Sequence, residues 1–269
     1  DDESPMLTNC PQDILQSNDS SQCGAIVTWS LPTATDNCVT PSVTNSDNSG
    51  DFFGVGNHTV TFTFSDTSGN STDCVFDITV TDDENPVITG CPLDISIANE
   101  AATCSAPVGW NAPTATDNCA ISTFTSTHNS GDVFVVGVTT VTYTALDIHG
   151  NDTTCVFTVT VVDDENPIIS GCPSDIIINS EVGVCNAIVT WVEPTATDNC
   201  NITFTSTHQP GDTFPVGVTT VIYTAVDSSG NSVTCEFDVT VEDNEDPQLT
   251  CPNDITQPSD VGVCNAVVT

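Results

Sequence analysis

The sequence predicts an all-β protein built as a tandem array of small, disulfide-stapled β-sandwich domains. Three observations predict it. Cysteines recur on a fixed ruler, acidic linkers recur on the same ruler, and short alternating segments lie between turn signals. Cys10, Cys23, Cys38 and Cys74 return as Cys91, Cys104, Cys119 and Cys155, then as Cys172, Cys185, Cys200 and Cys235, and Cys251 and Cys264 begin a fourth set. The leading cysteine of each set is displaced by 81, 81 and 79 residues. Asp-Asp-Glu-Ser-Pro from Asp1 is echoed from Asp82, Asp163 and Asp243. A fixed period of this length marks an array of units rather than one large core. The predicted units are 1–81, 82–162, 163–242 and the start of a fourth over 243–269.

The second unit shows the elements in order. Val87–Ile97 reads as a first strand broken at Gly90-Cys91-Pro92, and Cys104–Trp110 as a second. Ile121–Ser126 is a third, and Gly131–Phe134 a short edge segment. Thr139–Ala145 alternates with Val141, Tyr143 and Ala145 on one face. Thr154–Val162 alternates with Cys155, Phe157, Val159 and Val161 on one face. Turn signals at Asn129–Gly131 and His149–Asn151 separate them. Short period-two strands with frequent turns indicate a β-sandwich, and no window carries a helical stripe. Trp29, Trp110 and Trp191 recur at equivalent positions and are expected to fill the core under the second strand.

A unit of about 80 residues has a thin core that needs staples. Fourteen cysteines at regular spacing, with no Cys-x-x-Cys pair, argue for disulfides in an oxidising compartment. Four cysteines per unit allow three pairings. In an Ig-like topology the first and last strands can run side by side in parallel, which favours joining first with fourth and second with third. The expected bonds are Cys10–Cys74, Cys23–Cys38, Cys91–Cys155, Cys104–Cys119, Cys172–Cys235 and Cys185–Cys200. On this scheme the partners of Cys251 and Cys264 lie beyond Thr269, and the natural chain is expected to continue.

Composition excludes whole classes of function. The chain has no Lys and no Arg against 37 Asp plus Glu. Phosphate neutralisation of nucleic acid needs cationic side chains, as does docking on anionic lipid, so neither partner is expected. Trypsin-type proteases have no cleavage site, and lysine isopeptide cross-links are chemically impossible. No segment approaches the roughly 20 apolar residues of a membrane span. The acidic residues divide as 11, 9, 12 and 5 over the four units. A chain so charged repels itself unless cations screen it.

Further motifs recur in fixed order: Cys-Pro at 10, 91, 172 and 251, and Pro-Thr-Ala-Thr-Asp-Asn-Cys ending at 38, 119 and 200. Val-Gly-Val-Thr-Thr-Val at 136–141 and 216–221, Asp-x-x-Gly-Asn from 66, 147 and 227, and Cys-x-Phe from 74, 155 and 235 complete the set. On these residues each unit resembles the hyalin repeat (HYR) domain, an extracellular Ig-like module. The resemblance implies an extracellular adhesion or matrix role, as in long surface proteins and giant bacterial adhesin filaments, and no enzymatic activity. It implies a location at the cell surface or in a secreted matrix. Surface glycans, other extracellular proteins and copies of the chain itself are the expected partners.

The candidate chemistry is a Ca²⁺ site at each domain junction. In an Ig-like sandwich the incoming linker and two loops share one end. Those pieces supply Asp2, Glu3, Asp36 and Asp66 in the first unit. Asp83, Glu84, Asp117 and Asp147 are their counterparts in the second, and Asp164, Glu165, Asp198 and Asp227 in the third. Ca²⁺ takes six to eight oxygens, mostly carboxylate and carbonyl, and the linker resembles the calcium-binding linkers of cadherins. Two other readings stand beside this one. Asp-x-x-Gly-Asn and Asp-Asn-Cys form good turns by themselves, and the acidic residues can hold a different or diffuse cation.

Catalysis has no support. His128 and His208 occupy equivalent positions, His58 and His149 stand elsewhere, and no nucleophile has a paired base. Asn-x-Ser/Thr sequons begin at Asn18, Asn57, Asn70, Asn151 and Asn201, about the number such a composition gives by chance. The expected function is a non-enzymatic segment of a long extracellular filament or adhesin stalk. The alternatives are glycan- or protein-binding accessory repeats and a laterally polymerising matrix protein.

Overall fold

The computed structural model describes residues 1–268, so Thr269, the last residue of the expected fourth unit, lies outside it. Among the described residues every regular element is a β-strand. Asp1–Asp163 form one compact unit holding the first two repeats, and the chain from Asp164 forms a second.

The first repeat runs β1 (Met6–Asn9), β2 (Ile14–Ser17), β3 (Gly24–Ile26), β4 (Thr33–Thr35), β5 (Ser42–Asn45), β6 (Phe52–Gly54), β7 (Gly56–Ser65) and β8 (Ser71–Thr81). The second runs β9 (Val87–Thr89), β10 (Ile95–Ala98), β11 (Ser105–Pro107), β12 (Thr114–Thr116), β13 (Ile121–Ser126), β14 (Val133–Val135), β15 (Gly137–Asp147) and β16 (Asp152–Val162). The third runs β17 (Ile168–Ser170), β18 (Ile176–Asn179), β19 (Asn186–Ile188), β20 (Thr195–Thr197), β21 (Ile202–Ser206), β22 (Thr213–Pro215), β23 (Gly217–Asp227) and β24 (Ser232–Glu242). Among the described residues no strand follows Glu242.

One topology serves all three repeats. In the second, β10, β16, β15 and β13 make a four-stranded sheet, while β9–β12 and β11–β14 are separate antiparallel pairs. The short pairs cover one face of the long sheet, giving the Ig-like sandwich. The strands β10 and β16 run parallel, with Ile95 opposite Val159. The antiparallel β15–β16 hairpin sets Val141 against Phe157 and Tyr143 against Cys155. Alternation in these strands sends Val141, Tyr143, Phe157, Val159 and Val161 into the core, where β-branched and aromatic residues pack well on a pleated surface. Trp110 packs against this core, edge-on to Phe157 at 5.3 Å between ring centres.

The structure joins Cys10 to Cys74, Cys91 to Cys155 and Cys172 to Cys235. The parallel pairing of the second strand with the last brings these residues together in each repeat. The expected bonds between second and third cysteines are not formed. Cys23 is bonded to Cys119 of the next repeat, with a sequence separation of 96, so neither Cys23–Cys38 nor Cys104–Cys119 exists. Cys185 is free, which excludes Cys185–Cys200, and Cys38 is free as well. Cys104 and Cys200 are both disulfide-bonded.

The physical reason lies in the path of the chain. Cys23 sits beside the outgoing linker, where Ser17 Oγ donates to Asp83 and Ser21 N donates to Glu84. Cys38 sits beside the incoming linker, where Asn37 Nδ2 donates to Glu3. The 15-residue step between them traverses the sandwich from one end to the other, so the two thiols face opposite neighbours.

Candidate cation site at the repeat junction

The junction between the first two repeats is built from three pieces of chain, each held by its own hydrogen bonds. The first is the linker. Asp83 and Glu84 turn back to the first repeat. The Asp83 carboxylate accepts from Ser17 Oγ at 2.8 Å, and both Glu84 oxygens accept from Ser21 N at 2.9 and 3.0 Å. Asp82 turns the other way, into the second repeat, at a bend where Glu84 N donates to Asp82 Oδ1 at 3.3 Å. Its side chain is fully buried. Asp82 Oδ1 accepts from Asn118 Nδ2 at 3.1 Å, and Asp82 Oδ2 lies 3.0 Å from His149 Nδ1.

The second piece is the Asp117-Asn118-Cys119 loop after β12. Cys119 N donates to Asp117 Oδ2 at 2.9 Å, which folds the loop into an Asx-turn. Asn118 Nδ2 also donates to Gln22 O of the first repeat at 3.1 Å, alongside the Cys23–Cys119 bond. Asp117 Oδ1 and Asn118 Oδ1 are buried and have no hydrogen-bond partner.

The third piece is the β15–β16 turn. Asp147 is buried, and its Oδ1 accepts from the backbone of His149 at 2.8 Å, from Gly150, and from Asn151 at 2.8 Å. Asn151 Nδ2 donates to Asp147 Oδ2 at 2.7 Å and to Asp82 O at 3.2 Å. Gly150 closes the turn at φ 102°, a conformation that favours glycine. Burial pushes the Asp147 carboxyl up, but the hydrogen bonds from Asn151, His149 and Gly150 outweigh it and hold the group below the usual carboxylate value.

Carboxylate oxygens of Asp82, Asp117 and Asp147 all lie within 4.8 Å of one another. Three carboxylates this close repel strongly in a half-buried setting. The chain has no Lys or Arg to offset them. His149 is the one nitrogen base in contact, and its counterparts in the other repeats are Ser68 and Ser229. Cys119 also lies beside Asp82 and His149, but its sulfur is committed to the disulfide and cannot act as a thiolate ligand. A cleft of about 430 Å³, lined by Ser21, Glu84, Asn85, Val87, Thr116, Asp117 and Asn118, opens next to the cluster.

The other repeats carry the same parts. In the first, Asp1 and Asp36 approach one another together with Cys38. Asp36 Oδ2 accepts from Cys38 N, Asp66 is capped by Asn70, and Asp2 is exposed. In the third, Asp198 Oδ2 accepts from Cys200 N, and Asp198 Oδ1 is buried without a partner. Asp227 is buried and capped by Asn231 and Ser229, while Asp164 is exposed and Glu165 half-buried.

Of the residues expected at this junction, the structure brings Asp117 and Asp147 together and places Asp83 and Glu84 elsewhere. Asp82 and Asn118, which belong to the same linker and loop as the expected ligands but were not counted among them, complete the cluster. Turn hydrogen bonds occupy Asp66, Asp147 and Asp227, and Asp82 Oδ1 also accepts from Glu84 N at 3.3 Å. The buried oxygens Asp117 Oδ1 and Asn118 Oδ1 have no such partner.

The HYR domain model matches residues 1–80, 81–161 and 162–241. This chain belongs to the HYR domain family. It is 38% identical over 279 residues to hyalin of Lytechinus variegatus, covering 99% of this chain and 53% of that protein. It is 35% identical to hyalin of Strongylocentrotus purpuratus, covering 100% of this chain and 23% of that protein. It therefore spans about half, or less, of these relatives. Over 60% of its length it is 38% identical to a sushi, von Willebrand factor type A, EGF and pentraxin domain-containing protein of Rattus norvegicus. Among solved structures, Drosophila N-cadherin EC1-3 matches at 14% identity with a TM-score of 0.32, over 87% of this chain and 98% of that one.

Proposed function

We propose that these HYR repeats form a segment of an extracellular adhesion or matrix protein whose domain junctions are stiffened by calcium and locked by disulfides. The observation that carries the reading is the junction itself. Asp82, Asp117 and Asp147 converge, two buried acceptor oxygens stand unpaired beside them, and Cys23–Cys119 ties the same two repeats. Hard oxygen donors in excess of any counter-charge suit Ca²⁺, with water completing the six to eight ligands. The carboxylates of Asp82, Asp117 and Asp147 and Asn118 Oδ1 would hold the ion. Bound there, it would offset two of the three carboxylate charges and fix the linker to both loops.

The chemistry is mechanical rather than catalytic. Disulfides inside each repeat resist its unfolding, and the junction resists bending. The relatives and the disulfides support an extracellular setting. The tyrosines that recur at matching positions, Tyr143 and Tyr223, lie in the core, which disfavours an aromatic glycan platform.

Small-angle scattering of the 269-residue chain at fixed ionic strength tests this reading. With Ca²⁺ the distribution of interatomic distances should narrow relative to chelator, at constant molecular mass. Growth in mass would favour lateral polymerisation instead. No change would mean that the acidic linkers are solvated and hold no ion.

A further inference from the structure

The inter-repeat disulfide has two unmatched halves. Cys23, Cys104 and Cys185 occupy one position of the repeat, and Cys38, Cys119 and Cys200 another. Cys23 and Cys119 are joined across a junction, and Cys104 and Cys200 are both bonded. Cys185 and Cys38 are free and exposed.

Each free thiol stands in the same setting as its bonded counterpart. Val216 N donates to Cys185 O at 3.1 Å, as Val55 N does to Cys23 O at 3.3 Å and Val136 N to Cys104 O at 3.1 Å. Asp36 Oδ2 accepts from Cys38 N at 3.1 Å, as Asp117 Oδ2 does from Cys119 N at 2.9 Å. The linker that leaves the third repeat is also laid down as at the first junction. Gly183 N donates to Glu245 Oε2 at 3.0 Å, the counterpart of Ser21 N on Glu84 at 2.9 Å. Residues 243–265 then repeat the Cys-Pro and Gly-Val-Cys-Asn signatures of a repeat.

We infer that Cys185 and Cys38 are half-disulfides for further HYR repeats. Cys185 takes the cysteine of the Asp-Asn-Cys loop in the repeat that its linker leads into. Cys38 takes the cysteine equivalent to Cys185 in a repeat placed before it. Each junction formed this way is covalently closed between neighbours, as the first junction is by Cys23–Cys119. The inference goes beyond the calcium reading and does not depend on it.

The bond needs an oxidant, for which a small-molecule disulfide serves. One cysteine thiolate attacks that disulfide and expels a thiolate. The second cysteine thiolate then attacks the protein sulfur of the mixed disulfide and expels the other. The two protein thiols lose two protons and two electrons, and the oxidant becomes two thiols.

The test extends the chain at either end with its own repeats and refolds it with oxidised glutathione. One version places residues 163–242 ahead of Asp1. The other appends residues 191–242 after Thr269, which completes the fourth repeat. Alkylation followed by non-reduced peptide mass mapping reads each cysteine. In the 269-residue chain Cys38 and Cys185 should be alkylated. In the first extension Cys38 should become protected and appear bonded to the added copy of Cys185. In the second, Cys185 should become protected and appear bonded to the added copy of Cys200. Folding of each added repeat is reported separately, by the added Cys172–Cys235 bond or by Cys251 bonded to the added copy of Cys235. Either extension decides. A folded added repeat with Cys38 or Cys185 still alkylated overturns the inference.

Discussion

Cys23 of the first repeat is bonded to Cys119 of the second, with 4.6 Å between their Cα atoms and 96 residues between them in sequence. Beside the bond, Asn118 Nδ2 donates both to Gln22 O of the first repeat and to Asp82 Oδ1 of the linker. Covalent and polar fastenings thus coincide at the joint. Replacing both cysteines with Ser should leave Cys10–Cys74 and Cys91–Cys155 intact and free the joint alone. We expect a loss of about 2–4 kcal/mol in urea unfolding of the paired repeats, from the constraint removed on the unfolded chain. Unchanged stability would contradict a constraint on the unfolded chain by this bond.

Trp110 and Trp191 donate their indole N–H groups to Tyr143 and Tyr223 Oη, each at 2.9 Å. The first repeat has Phe62 at the tyrosine position, and Trp29 Nε1 is buried without a partner. Phe62→Tyr should supply the missing acceptor and stabilise the first repeat by about 1 kcal/mol. Tyr143→Phe should cost the second repeat about 1–3 kcal/mol by orphaning Trp110. Chemical denaturation followed by tryptophan fluorescence checks both.

Ser21 and Ala102 adopt φ of 61° and 60°, in the left-handed region, where the third repeat has Gly183 at φ 77°. A side chain there costs about 1–2 kcal/mol, and glycine returns about 0.4–1 kcal/mol of that through unfolded-chain entropy. Ala102→Gly should therefore raise stability by up to about 1 kcal/mol. The midpoint of urea unfolding reads this directly, and a lower midpoint would contradict it.

Thr158 N donates to Asp94 Oδ1 at 2.7 Å, and this hydrogen bond, with one from the Thr158 side chain, holds the Asp94 carboxyl below its ordinary value of 3.8. Asp227 is lowered too, because the hydrogen bonds from Asn231, Ser229 and Gly230 outweigh the upward push of burial. A carboxyl lowered by folding contributes stability that is present above its unfolded value and lost as pH falls through the folded one. Unfolding free energy should fall steeply below about pH 4, because the unfolded chain then binds more protons than the folded one. Asp94→Asn should be less stable than the parent at neutral pH and show a shallower acid slope.

Much of the fold was legible because period-two alternation and a strict repeat are local signals. Val141, Tyr143, Phe157 and Val159 announce their buried face in the sequence. The parallel pairing of β10 with β16 follows from the Ig-like topology and fixes Cys91 beside Cys155. The strand β12 was missed because three residues after Pro113 carry too short an alternation to register. The partner of Cys23 was misjudged for a different reason. A repeating ruler is satisfied equally by a bond of 15 residues and one of 96, and only the path of the chain across the sandwich separates them. Asp83 and Glu84 were expected as ligands in place of their linker neighbour Asp82 because three adjacent acidic residues look alike in sequence. A bend in the linker, with Glu84 N donating to Asp82 Oδ1, sends Asp82 into the cluster and Asp83 and Glu84 back to the first repeat.

The most direct test of the junction is thermal unfolding of the disulfide-intact 269-residue chain at constant ionic strength, with millimolar Ca²⁺, with Mg²⁺, and with chelator. The account predicts a rise of about 5–10 °C that is specific to Ca²⁺, since a ligand held by the native state stabilises it by linkage. Asp82→Asn and Asp117→Asn should each remove most of that rise, while Asp83→Asn should leave it in place. An equal response to both ions, or none in the parent chain, would contradict a calcium-held joint.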